Sequence, residues 1–147
     1  MISADAEQFE WSERFDIVTS FETIEHLYDP EKFLERIHNL LIPDGVFLLC
    51  VPLGETRHMD RYHLHAFSQE EMFALLKKTG FSVDWHHCDE CFLTRSELLR
   101  WGKLYPESSP SINELLFSRR GWRIIYDFVF RGGFDIPQVL IYARRIN

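Results

Sequence analysis

The six residues Val46-Phe47-Leu48-Leu49-Cys50-Val51 are apolar without interruption and lie between two stretches of helical periodicity. A strand with no polar alternation has no face to offer to water. It belongs inside a sheet covered on both sides, the setting of a parallel strand in an α/β domain. The flanking segments agree. Phe15–Phe21 is rich in β-branched and aromatic residues and reads as a strand. Asp29 then offers an N-cap, Pro30 takes the first helical position, and Phe33, Ile37, Leu40 and Leu41 make one apolar stripe. Pro43-Asp44-Gly45 turns the chain into the apolar run. A polar, His-rich loop follows from Pro52 to Phe67. Ser68-Gln69-Glu70-Glu71 is a capping box for a helix striped by Met72, Leu75 and Leu76 and stopped by Gly80. Phe81–Trp85 alternates as a strand, and Gln138–Ala143 is the last one.

Strand–helix–strand–helix–strand specifies an α/β domain with a mostly parallel sheet. Residues 92–134 break the rhythm with two further capping boxes, Thr94…Glu97 and Ser111…Glu114. They also hold an apolar helix around Trp122, Ile125, Tyr126 and Val129, stopped at Gly132-Gly133. This stretch is a helical insertion in a single domain spanning 1–147, since 147 residues provide one core.

The net charge of −7 counts against a chain built mainly to grip nucleic-acid backbone. The charge is unevenly spread: residues 92–147 hold nine Lys+Arg against five Asp+Glu, and residues 1–91 hold seven against eighteen. No apolar run approaches the roughly 20 residues of a membrane span, and the first residues lack a signal pattern. Three cysteines are too few for a disulfide scaffold, so the expected location is the cytoplasm.

Phe15-Asp16-Ile17-Val18, Glu25-His26-Leu27, Asp29-Pro30, Leu41-Ile42-Pro43-Asp44-Gly45, Val51-Pro52, His65-Ala66-Phe67-Ser68 and Gly80-Phe81 follow one another with a spacing that resembles class I S-adenosylmethionine-dependent methyltransferases. The resemblance covers roughly residues 1–91 and the last strand. It implies a partial Rossmann-like, doubly wound sheet ordered 3-2-1-4-5-7-6 with strand 7 antiparallel. Phe15–Phe21 would be strand 4, Val46–Val51 strand 5, Phe81–Trp85 strand 6 and Gln138–Ala143 strand 7, with residues 1–5 ending strand 3. The family's glycine-rich loop has no counterpart here, because no G-x-G occurs in the chain. Backbone approaches a ligand closely only where glycine permits it. The chain alone is therefore expected to be inactive or to bind S-adenosylmethionine weakly.

The resemblance also carries site residues. Asp5 and Ala6 match the adenine contact, and Phe21, Glu22 and His26 lie at the end of strand 4. The implied reaction is methyl transfer to a small-molecule or nucleic-acid nucleophile, the small molecule being favoured. Base candidates are His65, His63 and Glu25. Glu22-Thr23-Ile24-Glu25-His26 spells E-x-x-E-H, and together with His65 it offers four ligands to a divalent cation if the segment turns helically. Related arrangements occur in methyltransferases acting on RNA 3′ ends and in ubiquinone-pathway O-methyltransferases. The other assignment for His26 is a semi-buried structural histidine. His86-His87-Cys88-Asp89-Glu90-Cys91 lacks the second ligand pair of a closed zinc site.

Residues 92–134 interleave nine aromatics with arginines. They form either a lid over a lipid-like, quinone-like or nucleotide substrate or a segment that merely packs on the sheet. With family strands 1 and 2 absent, strand 4 is an open edge, for which a homodimer or a complementary chain is expected. Two further readings stay open: a non-catalytic interaction module, and a metal-binding domain.

Overall fold

A computed structural model of the protein describes residues 3–54, 60–107 and 119–146, with backbone only for Arg119 and Arg120. Strand β1 (Phe15–Phe21) leads through a 3₁₀ turn (Ile24–His26) to helix α1 (Pro30–Leu40) and strand β2 (Leu41–Pro52). Helix α2 (Gln69–Lys78), strand β3 (Phe81–Thr94) and helix α3 (Arg95–Leu104) follow. Helix α4 (Arg119–Tyr126) runs into a π-helical turn (Asp127–Arg131) and strand β4 (Gly133–Arg145) ends the sheet.

The sheet order is β1-β2-β4-β3, with β1 parallel to β2 and β4 antiparallel to both neighbours. This is the 4-5-7-6 order that the resemblance implied. Helices α1 and α2 contribute Phe33, Leu34, Ile37, Met72 and Leu76 to one core with Phe47, Leu49 and Val51 of β2 and Ile141 of β4. The alternate β2 residues, Val46, Leu48 and Cys50, are only half-buried. The expectation of two covered faces is thus met on one face alone among the described residues.

The local signals act as the sequence implies. Asp29 caps α1 by accepting from the Lys32 N–H at 3.0 Å, and both the Ser68–Glu71 and Thr94–Glu97 capping boxes form. Gly80 ends α2 at φ +88°, where a Cβ would meet the His38 ring. Ser111…Glu114 lies outside the described residues.

Several boundaries shift. Leu41 opens β2 rather than closing α1, and Pro43-Asp44-Gly45 is absorbed into β2 as an irregularity, with Asp44 at φ 60°. Strands β3 and β4 run much further than their alternating cores and pair out to Thr94↔Gly133, because each supplies the other's ladder. Residues 3–5 carry no strand, since no described neighbour offers them a ladder.

Candidate functional site

The carboxyl ends of β1 and β2 lie side by side, Phe21 opposite Cys50. Beyond Phe21 the chain leaves the sheet abruptly: Glu22 adopts φ 48°, in the left-handed region. Its N–H donates to the Cys50 carbonyl at 3.1 Å and its Oε1 takes the Cys50 thiol at 3.6 Å. Partial desolvation raises the Glu22 carboxyl above its ordinary value. Burial, with Glu22 beside it, pushes the Cys50 thiol up to about 11, so it remains a donor.

The 3₁₀ turn then drives Ile24 into the core and takes Glu25 with it. The His-rich loop is bolted onto this turn. Leu64 and His65 both donate backbone N–H groups to the Glu25 carbonyl, at 2.8 and 3.1 Å. Nε2 of His65 donates to the Leu27 carbonyl at 2.8 Å, and Nδ1 of His26 to the Tyr62 carbonyl at 3.1 Å. Each ring is thereby held in one tautomer and orientation.

Inside this lock the Glu25 side chain is fully buried, and neither carboxylate oxygen has a hydrogen-bond partner among the described residues. Desolvation pushes its pKa up to about 7; Glu22 and Asp60 push the same way, and backbone groups of Glu25 and Thr23 offset only part. Oε1 lies 3.7 Å from Nε2 of His26. The rings of His26 and His63 meet edge to face with centroids 4.6 Å apart. One ligand atom from each of Glu25, His26 and His63 falls within 4.8 Å of the others.

The structure therefore brings Glu25, His26 and His63 together. Glu22 stands outside this group at the strand end, and His65 is turned onto the Leu27 carbonyl, beside Phe67. On the other side of β1 a groove of about 430 Å³ is lined by Ala6, Phe9, Ile17, Phe21, Thr23 and Phe33 among others. Asp5 lies beside it but caps its own turn, accepting from Glu7 N–H and the Gln8 amide at 2.9 Å each. His86 and His87 diverge: His86 contacts Phe73 while His87 stacks near Trp85. Cys88 donates to Gln69.

Two contributors were not singled out in the sequence. The Tyr62 carbonyl orients His26, and Cys50 holds Glu22. Their signal was weak: Cys50 reads as one more apolar strand residue, and a backbone carbonyl carries no residue-type signature.

A methyltransferase-domain family model matches residues 2–103. The chain belongs to that family. The malonyl-[acyl-carrier protein] O-methyltransferase of Porphyromonas gingivalis is 29% identical over 92% of this chain and 55% of its own length. The ubiquinone biosynthesis O-methyltransferase of Glaesserella parasuis is 32% identical over 61% of this chain and 34% of its own. The chain thus spans about half, or less, of these curated relatives. Among solved structures, the Bacillus halodurans protein BH2331 superposes with a TM-score of 0.74 at 20% identity, over 98% of this chain and 70% of that one. Haemonchus contortus phosphoethanolamine N-methyltransferase 2, solved with S-adenosyl-L-methionine, gives 0.58 at 19% identity, over 97% of this chain and 36% of that one. The chain is part of a methyltransferase domain and its sheet has the Rossmann-like fold of these solved structures. No helix among its described residues is long and apolar enough to cross a membrane.

Proposed function

We propose that the protein containing this chain transfers a methyl group to an oxygen nucleophile of a small molecule, with Glu25, His26 and His63 handling the proton. The observation that carries the reading is the buried, unpartnered Glu25 carboxyl, poised near neutrality beside two imidazoles at the carboxyl end of a parallel strand. Ligands of doubly wound sheets bind at that end. The two relatives named above are O-methyltransferases by name.

The groove beside β1 fits the adenine end of the cofactor: Ala6 leaves room and the exposed Phe21 ring offers an aromatic face. Asp5 accepts one donor on each oxygen and keeps a lone pair on each for that contact. When bound, S-adenosylmethionine supplies an electrophilic sulfonium methyl. The residues of this chain hold the acceptor and take its proton. His26 is the most exposed of the three, and its Nδ1–H is committed to Tyr62, so its Nε2 carries the free lone pair. A hydroxyl within hydrogen-bond reach of Nε2 gives up its proton there. Glu25, 3.7 Å away, stabilises the imidazolium that forms. His63 packs edge-on against the His26 ring and fixes its plane.

The test uses the whole protein with methyl-labelled cofactor and a panel of phenol and carboxylic-acid acceptors. Glu25→Gln and His26→Ala are expected to lower turnover by about 10²–10⁴-fold while S-adenosylhomocysteine affinity stays within about threefold. Undiminished turnover in both variants overturns the reading.

One observation favours a second reading, in which Glu25, His26 and His63 hold a divalent cation: their ligand atoms converge within 4.8 Å. Two imidazoles and a carboxylate suit a borderline ion, which would lower the pKa of an acceptor hydroxyl. This set uses His63 where the E-x-x-E-H reading used Glu22 and His65. Cobalt(II) added to the chain is expected to give a visible d–d band that His63→Ala abolishes. No band at about millimolar cobalt disposes of this reading.

A further inference from the structure

We propose that Gln138 selects the methyl acceptor: its side-chain amide donates to a neutral carbonyl oxygen on the molecule whose hydroxyl is methylated. The proposal rests on the methyl-transfer reading above. Strand β4 runs antiparallel to β2, so its early residues meet the end of β2, where Gln138 pairs with Pro52. Gln138 is therefore what the last strand brings to the rim that also holds Phe21, Glu22 and Cys50.

The side chain is oriented by its neighbours. Cys50 pairs with Leu140, two residues along from Gln138, so Cys50 and Gln138 are diagonal neighbours on one face of the sheet. The Cys50 thiol reaches Oε1 of Gln138 at 3.8 Å and Oε1 of Glu22 at 3.6 Å. Burial and the adjacent Glu22 keep that thiol protonated, so it acts as the donor and takes the oxygen of the amide. The two N–H donors of Nε2 remain, and among the described residues they make no hydrogen bond. Glu22 feels the charge of His26, and Cys50 that of Glu25. The row Gln138–Cys50–Glu22 thus ends within electrostatic reach of the proton-handling group.

Gln138 lines a cavity of about 360 Å³ with Leu53, Pro137, Asp89 and Glu90. That is room for a small ligand. Its apolar wall is held in place, because the Leu53 N–H donates to the Pro137 carbonyl at 2.7 Å. Charge decides which oxygen suits Nε2. Asp89 stands directly opposite Gln138 across the β3–β4 ladder, and Glu90 lines the same cavity. Oδ1 of Asp89 is taken by the Glu90 N–H at 2.8 Å, and neither carboxylate is in an ion pair among the described residues. A carboxylate on the ligand would meet both of them. A neutral carbonyl accepts from Nε2 without that repulsion, so the cavity discriminates by a repulsive element as well as an attractive one.

The full chain, labelled with nitrogen-15, is titrated with 4-hydroxybenzamide and with 4-hydroxybenzoate, two phenols that differ only in the far group. The Gln138 side-chain NH2 signal is identified by its loss in Gln138→Leu. The benzamide is expected to move that signal and to bind about tenfold or more tighter than the benzoate. Gln138→Leu should abolish the preference, whereas Cys50→Ser, which keeps a donor beside Oε1, should retain it. In the whole protein with methyl-labelled cofactor, Gln138→Leu should raise KM for the benzamide about tenfold and change kcat less than about threefold. Equal affinities, an NH2 signal that stays put, or a preference that survives Gln138→Leu overturns the proposal. So does a loss confined to kcat. The stated binding preference without methyl transfer to either phenol would uphold selection by Gln138 and count against oxygen methylation alone.

Discussion

Nε2 of His26 stands 3.7 Å from Oε1 of Glu25, too far for a hydrogen bond, while both Glu25 oxygens lie buried without a hydrogen-bond partner among the described residues. Burial holds the Glu25 proton on up to about pH 7, whereas the unfolded chain releases it near 4.5. Between those values the folded state binds the extra proton, so stability falls as pH rises and levels off above about 7. Glu25→Gln removes the dependence. The variant should match the parent near pH 4.5 and exceed it by about 1–3 kcal/mol at pH 8, measured by urea unfolding at both pH values. A variant less stable than the parent at pH 8 would show that the carboxylate is paired.

Gly80 sits at φ +88°, and a Cβ there would lie 2.8 Å from Nε2 of His38, which also contacts the Ile146 carbonyl at 3.0 Å. Gly80→Ala should cost about 2 kcal/mol or more through backbone strain and overlap together. In a His38→Ala background the steric part disappears and only the backbone part, about 1 kcal/mol, remains. Equal costs in both backgrounds would place the whole effect in the backbone.

Ser68 accepts from the Glu71 N–H at 3.1 Å, and Glu71 answers on the Ser68 N–H at 2.8 Å. Ser68→Ala should cost about 1 kcal/mol of stability, read as a lower urea midpoint with an unchanged slope.

Among the described residues β1 has a strand neighbour on one side only, and Ile17 on it is 57% exposed. An open edge beside an apolar groove invites a further strand. Light scattering of the chain at rising concentration is expected to show association, which Ile17→Lys reduces without lowering the melting temperature. A monodisperse monomer across the range would contradict this.

The elements were legible in the uninterrupted Val46–Val51 run, the two helical stripes and the alternating Phe81–Trp85, whereas their order in the sheet came from the resemblance to class I methyltransferases. Strand ends were less so. Beyond Trp85 the residues of β3 are held by pairing with β4, a long-range contact that no local pattern records. At the site, E-x-x-E-H announced Glu25 and His26 but not which loop histidine joins them. His63 and His65 sit two residues apart, and the choice is made by the Leu27 carbonyl, which engages His65. The carbonyl of Tyr62 and the thiol of Cys50 act through the fold alone.

The central claim is that the carboxyl end of β1, with the groove beside it, is the cofactor side of a methyltransferase site. Amide NMR of the chain titrated with S-adenosylhomocysteine tests it without a known acceptor. Shifts should concentrate at Ala6, Phe21, Glu22 and Thr23 and rise through about the millimolar range. Shifts that spare these four amides while others move, or no shifts at all, would contradict the account.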